Sequence, residues 1–254
     1  MKTDALATAI RAATGAGRLA LRSFGRPLKV MTKADSSPVT AVDRACEEFL
    51  RKTISRDFPD DGFVGEEFGS TAGHREAVWI IDPIDGTKSY IRGVPFWGVL
   101  VAREVRGVLT TGVIHLPALD ELMYAERGKG AYLNRRRVRV SRVSSLRRAC
   151  VLHGSLECFV ARRKVAALAA VAARAATTRC YGDCWGYSWM LKGGADALIE
   201  AEMSPWDTAA PKVIIEEAGG RMTGWDGSDS WRAPSTVASN GLLHSSLLRT
   251  LHRP

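Results

Sequence analysis

The stretch VWIIDPIDGTKSYIRG, residues 78–93, sets two carboxylates, Asp82 and Asp85, three residues apart at the end of an apolar run. A strand ending at Asp82 would project that side chain at the edge of a sheet. Pro83 would then force a turn, and Asp85 would point back toward the same region. Two hard oxygen ligands in one turn, with the Ile84 carbonyl between them, make a nucleus for Mg²⁺. Gly86 lets the backbone approach a ligand closely, and the N–H groups that follow it can hold a phosphate. The same residues could also serve as an Asx-rich strand-to-turn cap with surface carboxylates. A calcium EF-hand is excluded by spacing, because positions three and twelve counted from Asp82 are Ile84 and Gly93.

Three further acids have the same double reading. Glu66 lies in GEE at 65–67, beside a glycine in a turn after a strand. Asp207 lies in WD at 206–207, at a strand-to-helix junction, and Asp43 stands at a helix start. As isolated residues Asp43 and Asp207 would be helix caps and Glu66 a solvated turn residue. No Ser–His or Cys–His arrangement suggests a protein nucleophile. Of the five cysteines, Cys180 and Cys184 are the one pair close enough to suggest a metal site. No second Cys/His pair lies at ligand spacing, so zinc is not expected and the thiols read as reduced and structural.

The elements that must carry these acids follow from periodicity. Residues 4–24 read as a first helix, and KVMTKADSSPVT at 29–40 as a polar, Pro-containing loop. Val42, Ala45, Cys46, Phe49 and Leu50 form one face of a second helix, with Thr40 as cap and Asp43 placed for a capping box. FVGEEFG at 63–69 is a short strand entering an acidic turn. From residue 78 the pattern is of strands, VWIID, GVLVARE and LTTGVIHLP, followed by a hairpin in ELMYAERGKGAYLN turning at Gly128–Gly130. Residues 158–176 read as one helix, CWGYSWMLKGG as a shorter one ending at Gly193–Gly194, and ADALIEA as a strand. WDTAAPKVIIEEAGG is a further helix with Pro211 near its beginning. RMTGW and TVASN are strands, and a last helix runs from 241. Helices, then neighbouring strands, then alternating elements indicate a layered α/β sandwich, with a seam near 140–150 dividing an N-terminal half, 1–145, from a C-terminal half, 146–254.

The bulk properties agree with such a body. The 254 residues are 46% hydrophobic and 25% charged, ample for a core. The N-terminus has no signal-peptide core, since Asp4, Arg11 and Arg18 interrupt it. The longest apolar run, VAALAAVAA at 165–173, is far short of the roughly 18 residues that a membrane helix needs. A cytoplasmic location is expected. Net charge is +9, with basic residues concentrated in RRRVRVSRVSSLRR at 135–148. That run could face a polyanion. No aromatic residue interleaves for base stacking, so a solvated edge with Val138, Val140 and Val143 turned inward is the favoured reading and no nucleic-acid partner is expected.

Taken together, SSPVTAVD (36–43), VGEEFG (64–69), WIIDPIDGTKSY (79–90) and SPWDTAAPKVIIEEAGGRMT (204–223) resemble the inositol monophosphatase-like family of Mg²⁺-dependent phosphatases, in its order and at its spacings. The resemblance implies an α/β (α+β) fold of αβαβα layers and a homodimer. It implies that Glu66, Asp82, Asp85, Asp207 and the Ile84 carbonyl hold two or three Mg²⁺ ions. By the same resemblance Thr87, with Asp43, orients and deprotonates a water, Gly86 and Thr87 give N–H groups to the phosphate, and Lys33 lies in a mobile loop over the metals. On the substrate side, members acting on inositol phosphates carry a small or hydroxylated residue where this chain has Asp183, and Glu200 and Glu202 add two more acids before Asp207. DGTKSY and YGDCWGY resemble the histidinol-phosphate phosphatase branch, in which Asp and Glu hold an amino alcohol. An ammonium and an imidazole would pair with three acids as an uncharged polyol would not. Asp183 could equally cap the helix that follows it. The competing readings are an inositol-1-phosphatase, a 3′(2′),5′-bisphosphate nucleotidase, or, outside enzymes, a basic regulatory or nucleic-acid-binding module on the same fold.

Overall fold

A computed structural model describes residues 4–27, 29–32, 38–74 and 76–252. In chain order the first elements are α1 (Ala5–Leu21), β1 (Val30–Thr32), β2 (Pro38–Thr40), α2 (Ala41–Asp57), β3 (Gly62–Gly65), β4 (Gly69–Thr71), β5 (Ala77–Asp85) and α3 (Thr87–Tyr90). Then come β6 (Gly98–Val105), β7 (Val108–Leu116), β8 (Glu121–Glu126), β9 (Gly130–Leu133) and β10 (Arg136–Val138). The rest are β11 (Cys150–His153), α4 (Leu156–Ala161), α5 (Val165–Ala172), β12 (Thr177–Arg179), α6 (Asp183–Leu191), β13 (Ala197–Glu200), α7 (Pro205–Glu217), β14 (Arg221–Gly224), β15 (Thr236–Ser239) and α8 (His244–His252).

Strand periodicity builds the layers. Along β5 and β6, Trp79, Ile81, Val99 and Val101 point to one face and pack with Ala9, Ala13, Cys46 and Leu50 of α1 and α2. Ile80, Leu100 and Ala102 point to the other face and pack with Tyr187 of α6 and Ala209, Val213 and Ile214 of α7. A sheet buried on both faces explains the near-continuous apolar runs in these strands. It has eight strands in the order β10-β9-β8-β7-β6-β5-β3-β4. A second sheet, β12-β11-β13-β15-β14, gives Leu152, Leu198, Met222 and Ala238 to the same central core. Its outer face, with Val151, Ile199 and Val237, packs on Phe159, Leu168, Leu247 and their neighbours in α4, α5 and α8. The result is five layers, αβαβα, as expected. The first sheet uses residues 62–138 and the second 150–239, yet α7 lies between them and seals both. No helix among the described residues is long and apolar enough to cross a membrane.

Four sequence expectations change. The loop at 29–40 contains a paired ribbon, β1 with β2; Lys33 lies outside the described residues. The helix expected over 158–176 is broken at Arg163, whose φ is 55°. At about 100° per residue, Phe159 and Leu168 would lie on opposite sides of one continuous helix. The break rotates the second segment so that both are buried in the same core. Pro211 sits in the middle of α7, where it removes the bond its N–H would give to the Asp207 carbonyl. Finally, the strand bearing the first acids does not end at Asp82. It continues to Asp85, and Pro83 is accommodated by a bulge. The basic run behaves as the solvated edge: its arginines are exposed, Val138 and Val140 pack on the central core and Val143 on the outer one.

Candidate active site

The bulge in β5 is the local event that makes a site. Asp82 pairs with Leu100 and Asp85 with Gly98, so three steps on β5 face two on β6. In a regular strand, residues three apart point to opposite faces. The extra residue cancels that alternation and turns both carboxylates the same way. Ile84 N–H donates to Asp82 Oδ1 at 2.9 Å, and the Thr87 hydroxyl donates to the Ile84 carbonyl at 2.9 Å. Gly86 then takes φ 81°, and a β-carbon there would stand 2.7 Å from the Phe96 carbonyl oxygen. Ser89 and Tyr90 N–H groups donate back to the Gly86 carbonyl at 2.8 and 3.0 Å, winding the single turn of α3.

The other acids arrive from separate elements. Asp207 is the third residue of α7, and its Oδ2 accepts the Ser204 N–H at 2.8 Å in a capping box. Asp43 does the same at the start of α2, accepting the Thr40 N–H at 2.8 Å, and it is 1% exposed. Both residues are therefore caps, as their isolated readings held. Glu66 follows β3 in a loop that the sequence left without a support. That support is Glu47 of α2, fully buried, which accepts the N–H groups of Glu67 and Phe68 at 2.7 and 3.3 Å. Gly65 is required beside it, since a β-carbon would stand 2.1 Å from Glu47 Oε1.

Oxygens of Asp82, Asp85 and Asp207 lie within 4.8 Å of one another. Burial raises the pKa of Asp82 well above the usual value, reinforced by the charges of Glu66, Asp85 and Asp207. Asp85 is displaced likewise, by burial and then by Asp183 and Asp207. Asp207 is raised to about 7, again chiefly by burial. Desolvated acids crowded together call for a cation, and a donor set of carboxylates with one carbonyl is the chemistry of Mg²⁺ rather than of a soft metal. The residues present fit that ion.

A cavity of about 300 Å³ runs from this centre. Glu66, Asp85, Gly86, Thr87 and Asp207 line it together with Asp183, Glu200 and Glu202. Asp183 does not cap α6 with its side chain. The first N–H groups of α6 are instead taken by acids from elsewhere: Asp183 N–H donates to Glu200 Oε1 at 3.2 Å and Cys184 N–H to Asp85 Oδ2 at 2.5 Å. Asp183 itself has φ 53°, a left-handed conformation that Asp tolerates, and its side chain is open to the solvent of the cavity. Its pKa is raised by its dense surroundings, against a lowering influence from Lys88. Glu200 is buried and wedged against two glycines. A β-carbon on Gly154 would stand 1.7 Å from its Oε2, and one on Gly182 2.7 Å from its Oε1. Glu202 is more peripheral, half exposed and paired with Arg162 at 2.5 Å. Lys88, Ser155, Cys158 and Tyr187, none of them singled out from the sequence, also line the cavity. Lys88 bridges to Glu157 at 2.9 Å. No spacing rule could have found them, because they come from three distant segments. The five cysteines are unpaired, and Cys184 packs against Asp85 rather than pairing with Cys180.

Comparison with known proteins agrees with this arrangement. Residues 1–253 match the inositol monophosphatase family. A histidinol-phosphatase of Chlorobaculum parvum is 42% identical over 229 residues, covering 90% of this chain and 88% of that protein. A histidinol-phosphatase of Mycobacterium tuberculosis is 39% identical over 99% of both chains. Among solved structures, the extragenic suppressor protein suhB from Bartonella henselae superposes with a TM-score of 0.91 at 32% identity, covering 97% of this chain and 98% of that one. Layers, acid centre and sequence matches converge: the chain belongs to the inositol monophosphatase family.

Proposed function

We propose that this chain is a Mg²⁺-dependent phosphomonoesterase whose substrate is L-histidinol phosphate, an ester with an anionic phosphate at one end and a cationic amine at the other. The observation that carries the reading is a single cavity lined both by acids of the hard-oxygen centre, Glu66, Asp85 and Asp207, and by Asp183 and Glu200. The names of the relatives point the same way. An uncharged polyol would leave the second group of acids without partners, which weighs against an inositol phosphate.

Two or three Mg²⁺ ions, held by Glu66, Asp82, Asp85, Asp207 and the Ile84 carbonyl, would offset the phosphate charge and make a water acidic enough to attack. Thr87, already held on the Ile84 carbonyl, and Asp43 would orient that water and accept its proton. The Gly86 and Thr87 N–H groups would bind the phosphate. The water oxygen would bond to phosphorus as the ester P–O bond breaks, and the proton taken from the water would pass to the departing alkoxide, giving histidinol and inorganic phosphate. Asp183 and Glu200 would pair with the amine. Glu202, already engaged by Arg162, would act mainly by fixing the rim. By family resemblance the protein is also read as a cytoplasmic homodimer, and the partly exposed aromatic cluster of Tyr181, edge-on to Trp185, and Trp189, stacked on Trp185, supplies an apolar patch for such contact; light scattering in solution checks the mass.

The test removes one charge. Asp183→Asn keeps a residue that tolerates the left-handed backbone, and Asn cannot form the charge-assisted pair. Such a pair contributes about 1.5–3 kcal/mol, so kcat/KM for histidinol phosphate should fall more than about tenfold, and that for p-nitrophenyl phosphate much less. A wild-type preference for inositol-1-phosphate, or equal losses on all esters, overturns the substrate assignment.

A further inference from the structure

We propose that Glu47, braced by Arg51, is a positioning residue of the acid centre: it fixes the turn that carries Glu66 and thereby sets how tightly Mg²⁺ binds. The inference rests on reading that centre as a Mg²⁺ site. Glu47 lies on α2 and is fully buried. Its Oε2 accepts the Glu67 N–H at 2.7 Å and its Oε1 the Phe68 N–H at 3.3 Å, the two amides that follow Glu66. On the other side of Glu66, the Gly65 α-carbon lies against the same carboxylate, since a β-carbon there would stand 2.1 Å from Oε1. Arg51, one turn further along α2, donates Nε–H to Glu47 Oε1 at 2.8 Å. The end of its guanidinium reaches the Gly69 carbonyl at 2.7 Å and the Thr71 hydroxyl at 3.2 Å. The pair therefore holds the turn against α2 from Gly65 to Thr71.

The turn needs such a hold. β4, which leaves it, is the edge strand of its sheet and is exposed along its whole length. β3 runs parallel to β5 with Gly65 opposite Ile81, so Glu66 and Asp82 are the next residues of two paired strands. The charge of Glu66 already bears on Asp82. A shift of the turn therefore moves Glu66 relative to Asp82 directly. A buried ion pair is a poor source of stability, because well-packed apolar side chains of like volume do as well or better. What the carboxylate adds is direction: it takes two successive amides at once and fixes which way the turn faces. Asp43 lies four residues before Glu47 on the same face of α2, so one helix carries one acid of the proposed machinery and anchors another. Removing a group that orients a metal's ligands costs about 10–100-fold in affinity.

The experiment follows Tm against the concentration of Mg²⁺ alone for wild type, Glu47→Gln, Glu66→Gln and the double variant, which reports binding even where it is weak. Gln keeps the volume but turns an NH₂ group toward one of the two amides. The midpoint of the Mg²⁺ response should rise about tenfold in Glu47→Gln, at the low end of the range for such partners. The Mg²⁺ concentration for half-maximal turnover of p-nitrophenyl phosphate should rise with it, while turnover at saturating Mg²⁺ stays within about threefold of wild type. In the Glu66→Gln background the same substitution should add less than about twofold, because Glu47 acts through Glu66. A purely structural support would lower the Tm in EDTA and leave the Mg²⁺ midpoint where it was. A midpoint within about twofold of wild type, or an equal shift with and without Glu66, overturns the inference and leaves the metal reading standing. Wild type whose Tm does not respond to Mg²⁺ overturns both. Should Glu47→Gln not fold, Arg51→Lys decides: it keeps the charge and loses the fork, and should raise the midpoint about threefold, an unchanged midpoint overturning the inference.

Discussion

Removing the metal should make the stability of this protein fall as pH rises, opposite to the behaviour of an ordinary ion-paired carboxylate. The perturbation is EDTA, and the reporter is Asp207, raised from 3.8 to about 7 in the folded, metal-free site. Its folded pKa exceeds its unfolded one, so between these values the native state holds more protons than the unfolded state, and stability declines with rising pH. The difference of about three units, at 1.36 kcal/mol each, is roughly 4 kcal/mol lost between pH 4 and 7. For a chain of this size that lowers Tm by roughly 8–16 °C. Asp82 and Asp85 are displaced in the same direction. With saturating Mg²⁺ the same acids are ionised and bound, and the loss should be absent. Asp57 and Asp229, whose pKa values are lowered by Thr8 and by Lys212 respectively, act oppositely in both arms and cancel in the difference. The assay is Tm by scanning calorimetry from pH 4.5 to 8, with EDTA and with Mg²⁺. The two curves should meet at the acid end and diverge toward neutrality. A constant gap, or coincident curves, would refute the argument that these acids are held together by a cation.

If the Thr87 hydroxyl acts on the attacking water as proposed, Thr87→Ala should lower kcat much more than it raises KM, and a phosphoryl-enzyme trapped during turnover would contradict direct attack. Gly154→Ala should reduce kcat/KM for histidinol phosphate by tenfold or more, since its methyl would stand 1.7 Å from Glu200 Oε2 and must displace that carboxylate. Turnover of p-nitrophenyl phosphate checks that the rest of the site survives.

What could be read from residues alone was local and periodic. The amphipathic face of α2, the Thr40–Asp43 cap and the strands from residue 78 onward follow from spacing, because helix and strand periods act over a few residues. The candidate metal-binding acids were recognisable because their motifs are short and stand in a fixed order. Four things were decided only by tertiary structure. Whether Asp82 and Asp85 share a face depends on the bulge that β6 imposes on β5, and pairing partners are not written in either strand. The break at Arg163 is set by the need of Phe159 and Leu168 to reach one core. Glu47, the support of the Glu66 loop, looks in sequence like any helix-surface acid, and becomes a buried acceptor only when β3 and its loop close over it. Glu200 acquires its setting from neighbours distant in the chain, Gly154 and Gly182, which hold its carboxylate. Spacing along the chain singles out the candidate acids; the burial that raises their pKa values and shapes the cavity exists only once the two sheets close on α7.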